Sequence, residues 1–298
     1  SSWIQVAAGS FVAAIRSDGG LFTWVANGAG QLGQNDIVTR SSPVQVGTSS
    51  WTQIATSINN GYMFAIRTDG GLFGWGLNTG GQLGLNDVIN RSSPVQVGTS
   101  SWIQIATSGT NTFAIKTDNT LWGWGASPYT ADGTGVNRSS PVQILSTSWT
   151  QIAVNTKGVL GIYNNQLYNW GDDDLGGGTG EANYAPYPNV NWGFLNNSIP
   201  TIWNSVSVGP SHLAAIDNTN YNTYVWGNNN SMQLAQTTDA TQSWSQIAVG
   251  GGLATAFSVA IRSDGALFAW GNNSAGQLGD LTRTNRSSPV QISSQSWR

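Results

Sequence analysis

The sequence predicts an all-β fold built from six copies of one repeat, and three observations predict it. A tryptophan recurs at intervals of about 50 residues and opens each copy. Short segments that alternate apolar and polar residues follow it, as expected for half-buried strands. Stretches rich in Gly and Asn separate these segments, and no stretch keeps a helical period for three turns. The opening tryptophans are Trp3, Trp51, Trp102, Trp149, Trp203 and Trp244, and Trp297 begins a further copy.

The second copy shows the predicted unit most clearly. Its four strands are predicted at residues 51–57, 63–68, 71–76 and 92–98. The Asp69-Gly70 pair predicts a tight hairpin turn, because Gly tolerates a positive φ. Pro94 stands near the start of the fourth strand, where a missing N–H costs little. Four short strands at this spacing are typical of one blade of a β-propeller.

Neighbouring copies must stack, because a single small sheet cannot bury both of its faces. We therefore expect a single propeller over residues 1–298 with six blades, and with seven as the alternative. The copies are predicted at about 1–50, 51–101, 102–148, 149–202, 203–243 and 244–298.

A second Trp closes the central hairpin of each copy and is assigned a structural role. These residues are Trp24, Trp75, Trp124, Trp170, Trp226 and Trp270. The chain starts and stops in register with the repeat, so a closed ring and a part of a larger polypeptide both fit the sequence.

Three copies share the segment N-x-x-G-Q-L-G after the D-G turn and the second Trp. Its residues are Asn27, Gly30, Gln31, Leu32 and Gly33, then Asn78, Gly81, Gln82, Leu83 and Gly84, then Asn273, Gly276, Gln277, Leu278 and Gly279. Copy five has Met232 and Ala235 where the segment has Gly, and copies three and four lose it. This pattern resembles the RCC1 (regulator of chromosome condensation) repeat family, and the R-S-S-P-V-Q-V strand resembles its bacterial and phage members. The resemblance implies a propeller. It implies no single activity, since the family includes a GTPase exchange factor, chromatin binders and enzyme inhibitors.

Composition narrows the class of partner. Charged residues make up 8% of the chain and the net charge is −3, so we expect no basic stripe for nucleic acid. We expect no membrane insertion, because no apolar run reaches about 18 residues. The chain contains no Cys, which excludes disulfides and thiolate metal sites. A surface of uncharged polar groups predicts an extracellular or virion-exposed location.

Charged side chains recur at equivalent positions, which predicts structural ion pairs or loop anchors. Arg40, Arg91, Arg138 and Arg286 each precede Ser-Ser-Pro, with Asp36, Asp87, Asp132 and Asp280 a few residues before them. Arg16, Arg67, Lys116 and Arg262 each lie two residues before Asp18, Asp69, Asp118 and Asp264. One ligand site per blade, for sugar carboxylates or sulfates, is the alternative.

No catalytic residue and no cofactor are predicted. The single His, His212, has no partner base or nucleophile in the sequence around it and is expected to be structural. Asp172 and Asp174 are weak candidates for Ca²⁺ binding, but an EF-hand pattern is absent, so a solvated loop is expected.

Residues 171–202 break the repeat and carry aromatic residues among Asn, Gly and Pro. Aromatic residues among small polar ones are common on recognition surfaces. The candidate binding residues are Tyr129, Tyr184, Tyr187, Trp192 and Phe194. Decay of the repeat, with these rings filling a blade edge, is the alternative.

These observations favour a non-enzymatic binding or assembly module. The leading hypothesis is a phage virion or bacterial surface component that recognises a glycan or a protein. The first alternative is a soluble regulator of a partner protein, such as an inhibitor or an exchange factor, that acts from one propeller face. The second is a purely structural decoration. A hydrolase is the weakest hypothesis, because the sequence shows no nucleophile, base and orienting residue together.

Overall fold

The structure, a computed structural model, describes most of the chain. The described residues are 2–57, 60–126, 132, 134–145, 148–155, 158–171, 183–188, 202–209, 212–227, 243–251, 254–293 and 297. They form strands, turns and loops, and no helix occurs among them. The all-β prediction is confirmed.

The strands follow one another at the spacing that the repeat predicts. In chain order they are β1 (Trp3–Ala8), β2 (Phe11–Arg16), β3 (Leu21–Val25), β4 (Arg40–Gln45), β5 (Trp51–Thr56), β6 (Tyr62–Arg67), β7 (Gly71–Gly76), β8 (Arg91–Thr107), β9 (Asn111–Lys116), β10 (Leu121–Gly125), β11 (Arg138–Leu145), β12 (Trp149–Val154), β13 (Gly158–Tyr163), β14 (Gln166–Gly171), β15 (Asn183–Pro188), β16 (Trp203–Val208), β17 (His212–Asp217), β18 (Thr223–Gly227), β19 (Trp244–Gly250), β20 (Phe257–Arg262), β21 (Leu267–Gly271) and β22 (Arg286–Ser293).

Within each sheet, strands that follow one another in the chain pair antiparallel, which gives the meander of a propeller blade. The strand orders are β1-β2-β3-β4, β12-β13-β14-β15 and β19-β20-β21-β22, with β16-β17-β18 in the described part of copy five. The second and third copies share a seven-stranded sheet, from β5 to β11. The Asp69-Gly70 turn has the expected geometry, with Gly70 at a φ of +84°.

Strand β8 is longer than the sequence predicts. Its first part pairs with β7 through Gln96 and Phe73, and its second part pairs with β9 through Ile105 and Ala114. It therefore serves as the fourth strand of copy two and the first strand of copy three. Gly98 lies in the part that pairs with β7 and has a φ of +62°, a conformation that Gly adopts without strain.

The chain divides into two compact halves, Ser1–Ile152 and Ala153–Arg298. In the first half, a buried cluster joins Leu21 and Leu32 of copy one to Trp51, Ile54 and Trp75 of copy two. Residues of one copy thus cover the apolar face of the next, as the stacking argument requires. A second cluster repeats this arrangement between copies two and three, around Trp102 and Trp124.

The second half packs in the same way. One cluster joins Leu160 and Leu167 of copy four to Trp203 and Leu213 of copy five. Another joins Val225 of copy five to Trp244, Phe268 and Trp270 of copy six. A single propeller with six blades, and the boundaries of its copies, stay predictions.

Glutamines of the first strands link neighbouring copies in the first half. Gln5 Oε1 accepts a hydrogen bond from the Ile54 N–H at 2.9 Å, and its Nε2 donates to the Ile54 carbonyl at 3.1 Å. The corresponding pairs are Gln53 with Ile105 and Gln104 with Ile152. Each glutamine amide therefore hydrogen-bonds main-chain groups of the following copy that the sheet of that following copy leaves unpaired.

Candidate partner-binding surface

The loop after the third strand of copy one is built around the buried side chain of Asn27. Its Oδ1 accepts a hydrogen bond from the Leu32 N–H at 2.9 Å. Its Nδ2 donates to the carbonyls of Asp36 at 3.0 Å and Val38 at 3.1 Å. Asn78 binds the loop of copy two in a similar way, through Leu83 and Asp87. One amide thus fixes both ends of each loop.

An ion pair closes the same loop. Arg40 Nη2 lies 2.5 Å from Asp36 Oδ2, while Asp36 Oδ1 accepts a hydrogen bond from the Val38 N–H at 2.9 Å. The Val38 N–H and the Arg40 guanidinium hold the pKa of Asp36 below its usual value. All four arginines assigned to loop anchors pair in this way. The pairs are Arg40 with Asp36, Arg91 with Asp87, Arg138 with Asp132 and Arg286 with Asp280.

The fixed loop presents two aliphatic side chains to solvent. Ile37 is 66% exposed and Val38 is 58% exposed, and the equivalent Val88 and Ile89 of copy two are 57% and 63% exposed. Copy three, which lost the Gly-Gln-Leu-Gly segment, keeps one such side chain, Val136. We call these five residues the apolar rim.

Main-chain bonds join the loops in a row. The Asn35 N–H donates to the Ser92 carbonyl of the next copy at 2.7 Å, and the Asn86 N–H donates to the Ser139 carbonyl at 2.6 Å. The approach is close, because a β-carbon on Gly30 would lie 2.6 Å from Ser92 Cα. The side chains of the apolar rim therefore sit on consecutive, connected loops of the first half.

The second tryptophan of one copy supports the loop of the copy before it. Trp75 Nε1 donates to the Gln31 carbonyl at 3.0 Å, and Trp124 Nε1 donates to the Gln82 carbonyl at 2.9 Å. Of the tryptophans assigned this structural role, Trp75, Trp124, Trp170 and Trp270 are fully buried, while Trp24 and Trp226 are partly buried.

Copy six, in the second half, builds the same kind of loop. Asn273 Nδ2 donates to Asp280 Oδ1 at 2.8 Å, and its Oδ1 accepts from the Leu278 N–H at 3.0 Å. Arg286 pairs with Asp280. Leu281 is fully exposed at the tip of this loop.

The aromatic residues proposed for binding fall mainly outside the described residues. This holds for Tyr129, Trp192 and Phe194. Tyr184 and Tyr187 belong to β15, which pairs with β14, but their side chains are not described. The candidate metal ligands Asp172 and Asp174 also lie outside the described residues. The assignment of these residues to binding or metal sites therefore stays a prediction.

The residues of the apolar rim are not among those that the sequence predicted to bind. The signal for the apolar rim is present in the printed sequence, as Asn-Asp-Ile-Val at 35–38 and Asn-Asp-Val-Ile at 86–89. In each case two β-branched residues directly follow the Asp that anchors the loop. Such residues usually indicate a buried strand, whereas the ion pair here holds them in an exposed turn.

His212 lies in the core of copy five. Its Nε2 is 3.1 Å from Ser258 Oγ, and its side chain is fully buried. Burial lowers the pKa of His212 to about 4. Within the part of the chain that the structure describes, no group of three or more His, Asp or Glu residues is placed to hold a metal ion. Across the same residues, no helix is long and apolar enough to span a membrane.

Comparison with known proteins identifies the repeat. The model of the regulator of chromosome condensation (RCC1) repeat matches residues 69–115 and 264–296. The human probable E3 ubiquitin-protein ligase HERC3 is 38% identical over 97 residues, which are 32% of this chain and 9% of HERC3. The ultraviolet-B receptor UVR8 of Arabidopsis thaliana is 35% identical over 81 residues, 26% of this chain and 18% of UVR8. The chain spans less than a fifth of the length of these relatives.

Solved structures show the fold over nearly the whole chain. Human WBSCR16 superposes with a TM-score of 0.78 at 17% identity, covering 98% of this chain and 82% of that one. Prp20p of Saccharomyces cerevisiae, described with its binding to Gsp1p and histones, gives 0.78 at 16% identity, covering 98% and 77%. Yeast RCC1 (Prp20) bound to Kap60 gives 0.77 at 15% identity, covering 98% and 75%. The β-propeller prediction is confirmed.

The predicted extracellular or virion-exposed location is wrong. The matched proteins include a ubiquitin ligase and a yeast protein described with histones and Kap60, and these are nuclear or cytosolic proteins. The prediction failed because it rested on the low charge of the surface. Uncharged polar residues keep a protein soluble in any compartment, so composition alone does not distinguish one location from another.

Proposed function

We propose that this chain, a member of the RCC1 repeat family, is a β-propeller module that binds and regulates a partner protein and performs no catalysis itself. The observation that carries the proposal is the apolar rim. Exposed aliphatic side chains recur at equivalent positions on consecutive loops that main-chain hydrogen bonds connect. Such surfaces mark sites of protein association.

The rigidity of the loops favours binding. Association costs free energy for every loop and side chain that it orders. Asn27 and the pair of Asp36 with Arg40 order the first loop before any partner arrives, and copy two repeats this arrangement. β-Branched side chains have few rotamers, so little side-chain entropy is lost on contact. Folding therefore already orders most of the surface that a partner would contact, so binding loses little further conformational entropy.

The side-chain chemistry favours a protein over a glycan. Aliphatic groups gain free energy by burial against other apolar groups, and they offer no hydrogen bonds to sugar hydroxyls. The partners named for the matched yeast protein, Gsp1p, histones and Kap60, are all proteins. These observations support a regulator of a partner protein more than a component that recognises a surface glycan.

Site-specific photo-crosslinking tests this proposal. A photoreactive amino acid would replace Ile37 or Ile89 of the apolar rim, or Ile103, an exposed isoleucine of the same half outside the rim. We expect one protein to be captured from Ile37 and Ile89 but not from Ile103. That protein, once purified, should bind saturably. The double variant Ile37→Asp with Ile89→Asp should weaken binding at least about tenfold, because two charges would enter an apolar contact.

Two results would refute the proposal. One is equal capture from all three positions, since that indicates nonspecific contact. The other is binding of the purified partner that the double variant leaves unchanged, because the apolar rim would then lie outside the interface.

A further inference from the structure

The second strand of each regular copy ends in a cation that has two partners. In copy one, the Arg16 guanidinium lies 4.8 Å from the ring centre of Phe22 and 2.6 Å from Asp18 Oδ2. In copy two, Arg67 lies 4.8 Å from the ring centre of Phe73 and 2.5 Å from Asp69. Arg262, Asp264 and Phe268 repeat the arrangement in copy six. In all three places a carboxylate of the same hairpin compensates the positive charge.

Copy three breaks this rule. The Lys116 ammonium lies 3.5 Å from the centre of the Trp122 ring and 5.2 Å from that of Trp102. Asp118, the residue that would pair with it, accepts hydrogen bonds from the Thr120 N–H at 3.0 Å and the Thr120 hydroxyl at 2.6 Å. Among the described residues, no carboxylate oxygen lies within salt-bridge distance of Lys116.

A lysine cannot reproduce the geometry of the arginine. The guanidinium of Arg67 covers Phe73 and presents its planar fork to Asp69 at the same time. The Lys116 ammonium is a compact charge, and its position over Trp122 takes it away from Asp118. Trp122 also fixes the hairpin, because its Nε1 donates to the Thr120 hydroxyl at 2.8 Å. The substitutions in copy three therefore leave one positive charge without a carboxylate partner.

Lys116 and Trp102 line a cleft. The cleft has a volume of about 360 Å³ and lies between the loop of copy two and the strands of copy three. Its lining includes Leu85, Gln96, Ser100, Trp102, Lys116 and Ser140. Burial lowers the pKa of Lys116, while Asp118 opposes this shift from a distance. The wall of the cleft thus combines apolar surface, neutral hydrogen-bonding groups and one ammonium group.

We propose that this cleft binds the carboxylate of an Asp or Glu side chain of the partner protein, with Lys116 as the cationic donor. The inference rests on the proposed function and adds the chemistry of one contact to it. A carboxylate supplies the acidic partner that Arg16, Arg67 and Arg262 find within their own hairpins. The methylene groups of that side chain would pack on Trp102 and Leu85.

The single positive charge favours a carboxylate over a phosphate group. Phosphate sites in proteins usually combine an arginine fork or several cations with converging main-chain N–H groups. Among the described residues that line this cleft there is no arginine and no second lysine. One ammonium group neutralises one carboxylate, whereas a phosphate dianion would stay partly uncompensated.

Lysine-selective NMR tests the inference on the unmodified chain. Lys116 and Lys157 are the lysines of the chain, so ¹³C,¹⁵N-lysine labelling gives one probe of the cleft and one internal reference. The Lys157→Arg variant assigns the two signals. The probe ligand is a blocked tetraglutamate peptide, and the matched control is tetraglutamine. We expect a saturable shift of the Lys116 side-chain signal with tetraglutamate, together with a rise in the pKa of Lys116.

Three results would overturn the inference. They are no shift of Lys116 at saturating peptide, an equal shift with tetraglutamine, or an equal shift of Lys157. A larger saturable shift with inorganic phosphate than with tetraglutamate would also overturn it, because the cleft would then select phosphate.

A pair of variants separates this contact from the proposed function. Lys116→Met keeps an aliphatic chain over Trp122 and removes the charge, and Arg67→Met makes the same change where Asp69 already compensates it. We expect Lys116→Met to weaken tetraglutamate binding at least about tenfold and Arg67→Met to change it less than about twofold. If a partner is captured through the apolar rim but Lys116→Met does not weaken peptide binding, only the proposal for the cleft is refuted. If the peptide binds at Lys116 but no partner is captured through the apolar rim, only the proposal for the apolar rim is refuted.

Discussion

Gly33 lies against Trp75 so closely that a β-carbon on it would sit 2.7 Å from the indole nitrogen. That nitrogen donates to the Gln31 carbonyl, and the ring is fully buried, so it has no room to withdraw. Gly84 has the same relationship to Trp124. In copies one and two, the last Gly of the Gly-Gln-Leu-Gly segment is therefore required by the tryptophan of the following copy.

Replacing Gly33 by Ala should destabilise the protein through two effects. The residue has a φ of +68°, which costs an L-residue about 1–2 kcal/mol, and the new methyl group would clash with Trp75. We expect a loss of about 3 kcal/mol in the free energy of unfolding, measured in urea. Gly47→Ala is the matched control, because Gly47 has a φ of +57° and open space around it. Equal losses in the two variants would contradict the role assigned to Trp75.

Asn27→Ala should disrupt the first loop. It removes one acceptor and one donor from a buried site and leaves the Leu32 N–H and the Asp36 carbonyl without their partner. Each unsatisfied buried group costs about 1–3 kcal/mol, so we expect a loss of about 3 kcal/mol. Gln34→Ala is the control, since its bonds to main-chain carbonyls are 3.2–3.5 Å long. A loss in Asn27→Ala no larger than in this control would show that the amide does not hold the loop.

The glutamines that link neighbouring copies should stabilise the packing of one copy against the next. Gln104→Ala leaves the N–H and carbonyl of Ile152 unpaired in a residue that is 3% exposed. We expect a loss of about 2 kcal/mol in the free energy of unfolding. Thr52→Ala, an exposed change in the same half, should cost less than about 0.5 kcal/mol. Amide hydrogen exchange of Ile152 should speed up in the Gln104 variant and stay unchanged in the Thr52 variant.

Stability should fall as the solution becomes mildly acidic, because of His212. Its pKa is about 4 in the folded chain and 6.5 for the free side chain, so the unfolded chain binds more protons between these values. The stability that is present above pH ~6.5 is lost as the pH falls towards 4, by on the order of 3 kcal/mol. Urea unfolding of the wild type and of His212→Gln at several pH values measures this.

The aspartates change the stability at lower pH values than His212 does. The pKa values of Asp18, Asp69 and Asp264 are held at about 2 by their arginines and by main-chain N–H groups. Their contribution is therefore lost only as the pH falls below about 4. If His212→Gln keeps the full loss of stability between pH ~6.5 and 4, the group responsible is not His212.

The sequence carries most of the information about the fold. The spacing of Trp51 and Trp102 marks the start of each copy, and the Asp69-Gly70 pair marks a hairpin turn. Both signals can be read along the chain, because the first is a regular spacing of one residue type and the second is a pair of adjacent residues. The continuity of β8 was harder to predict, because it depends on pairing with β7 along one part and with β9 along the other.

The candidate surface was less predictable, because exposure depends on contacts between copies. Ile37 and Val38 belong to residue types that usually lie in a core, and the aromatic residues of 171–202 attracted attention instead. The unpaired charge of Lys116 also escaped the sequence analysis, which grouped it with Arg16 and Arg67. Only the distances show that Lys116 lies over Trp122 and apart from Asp118.

Two kinds of hydrogen bond between copies recur in the first half, and their recurrence has an evolutionary consequence. Gln5 hydrogen-bonds the following copy as Gln104 does. The Gln31 carbonyl accepts a hydrogen bond from Trp75 as the Gln82 carbonyl does from Trp124. A duplicated copy inserted between two others would regenerate both junctions from residues that it already carries. Tandem duplication of a whole copy therefore needs no new contact, whereas insertion of half a copy would break a junction on each side. Such a gene can change length in whole repeats while each junction stays under the same selection.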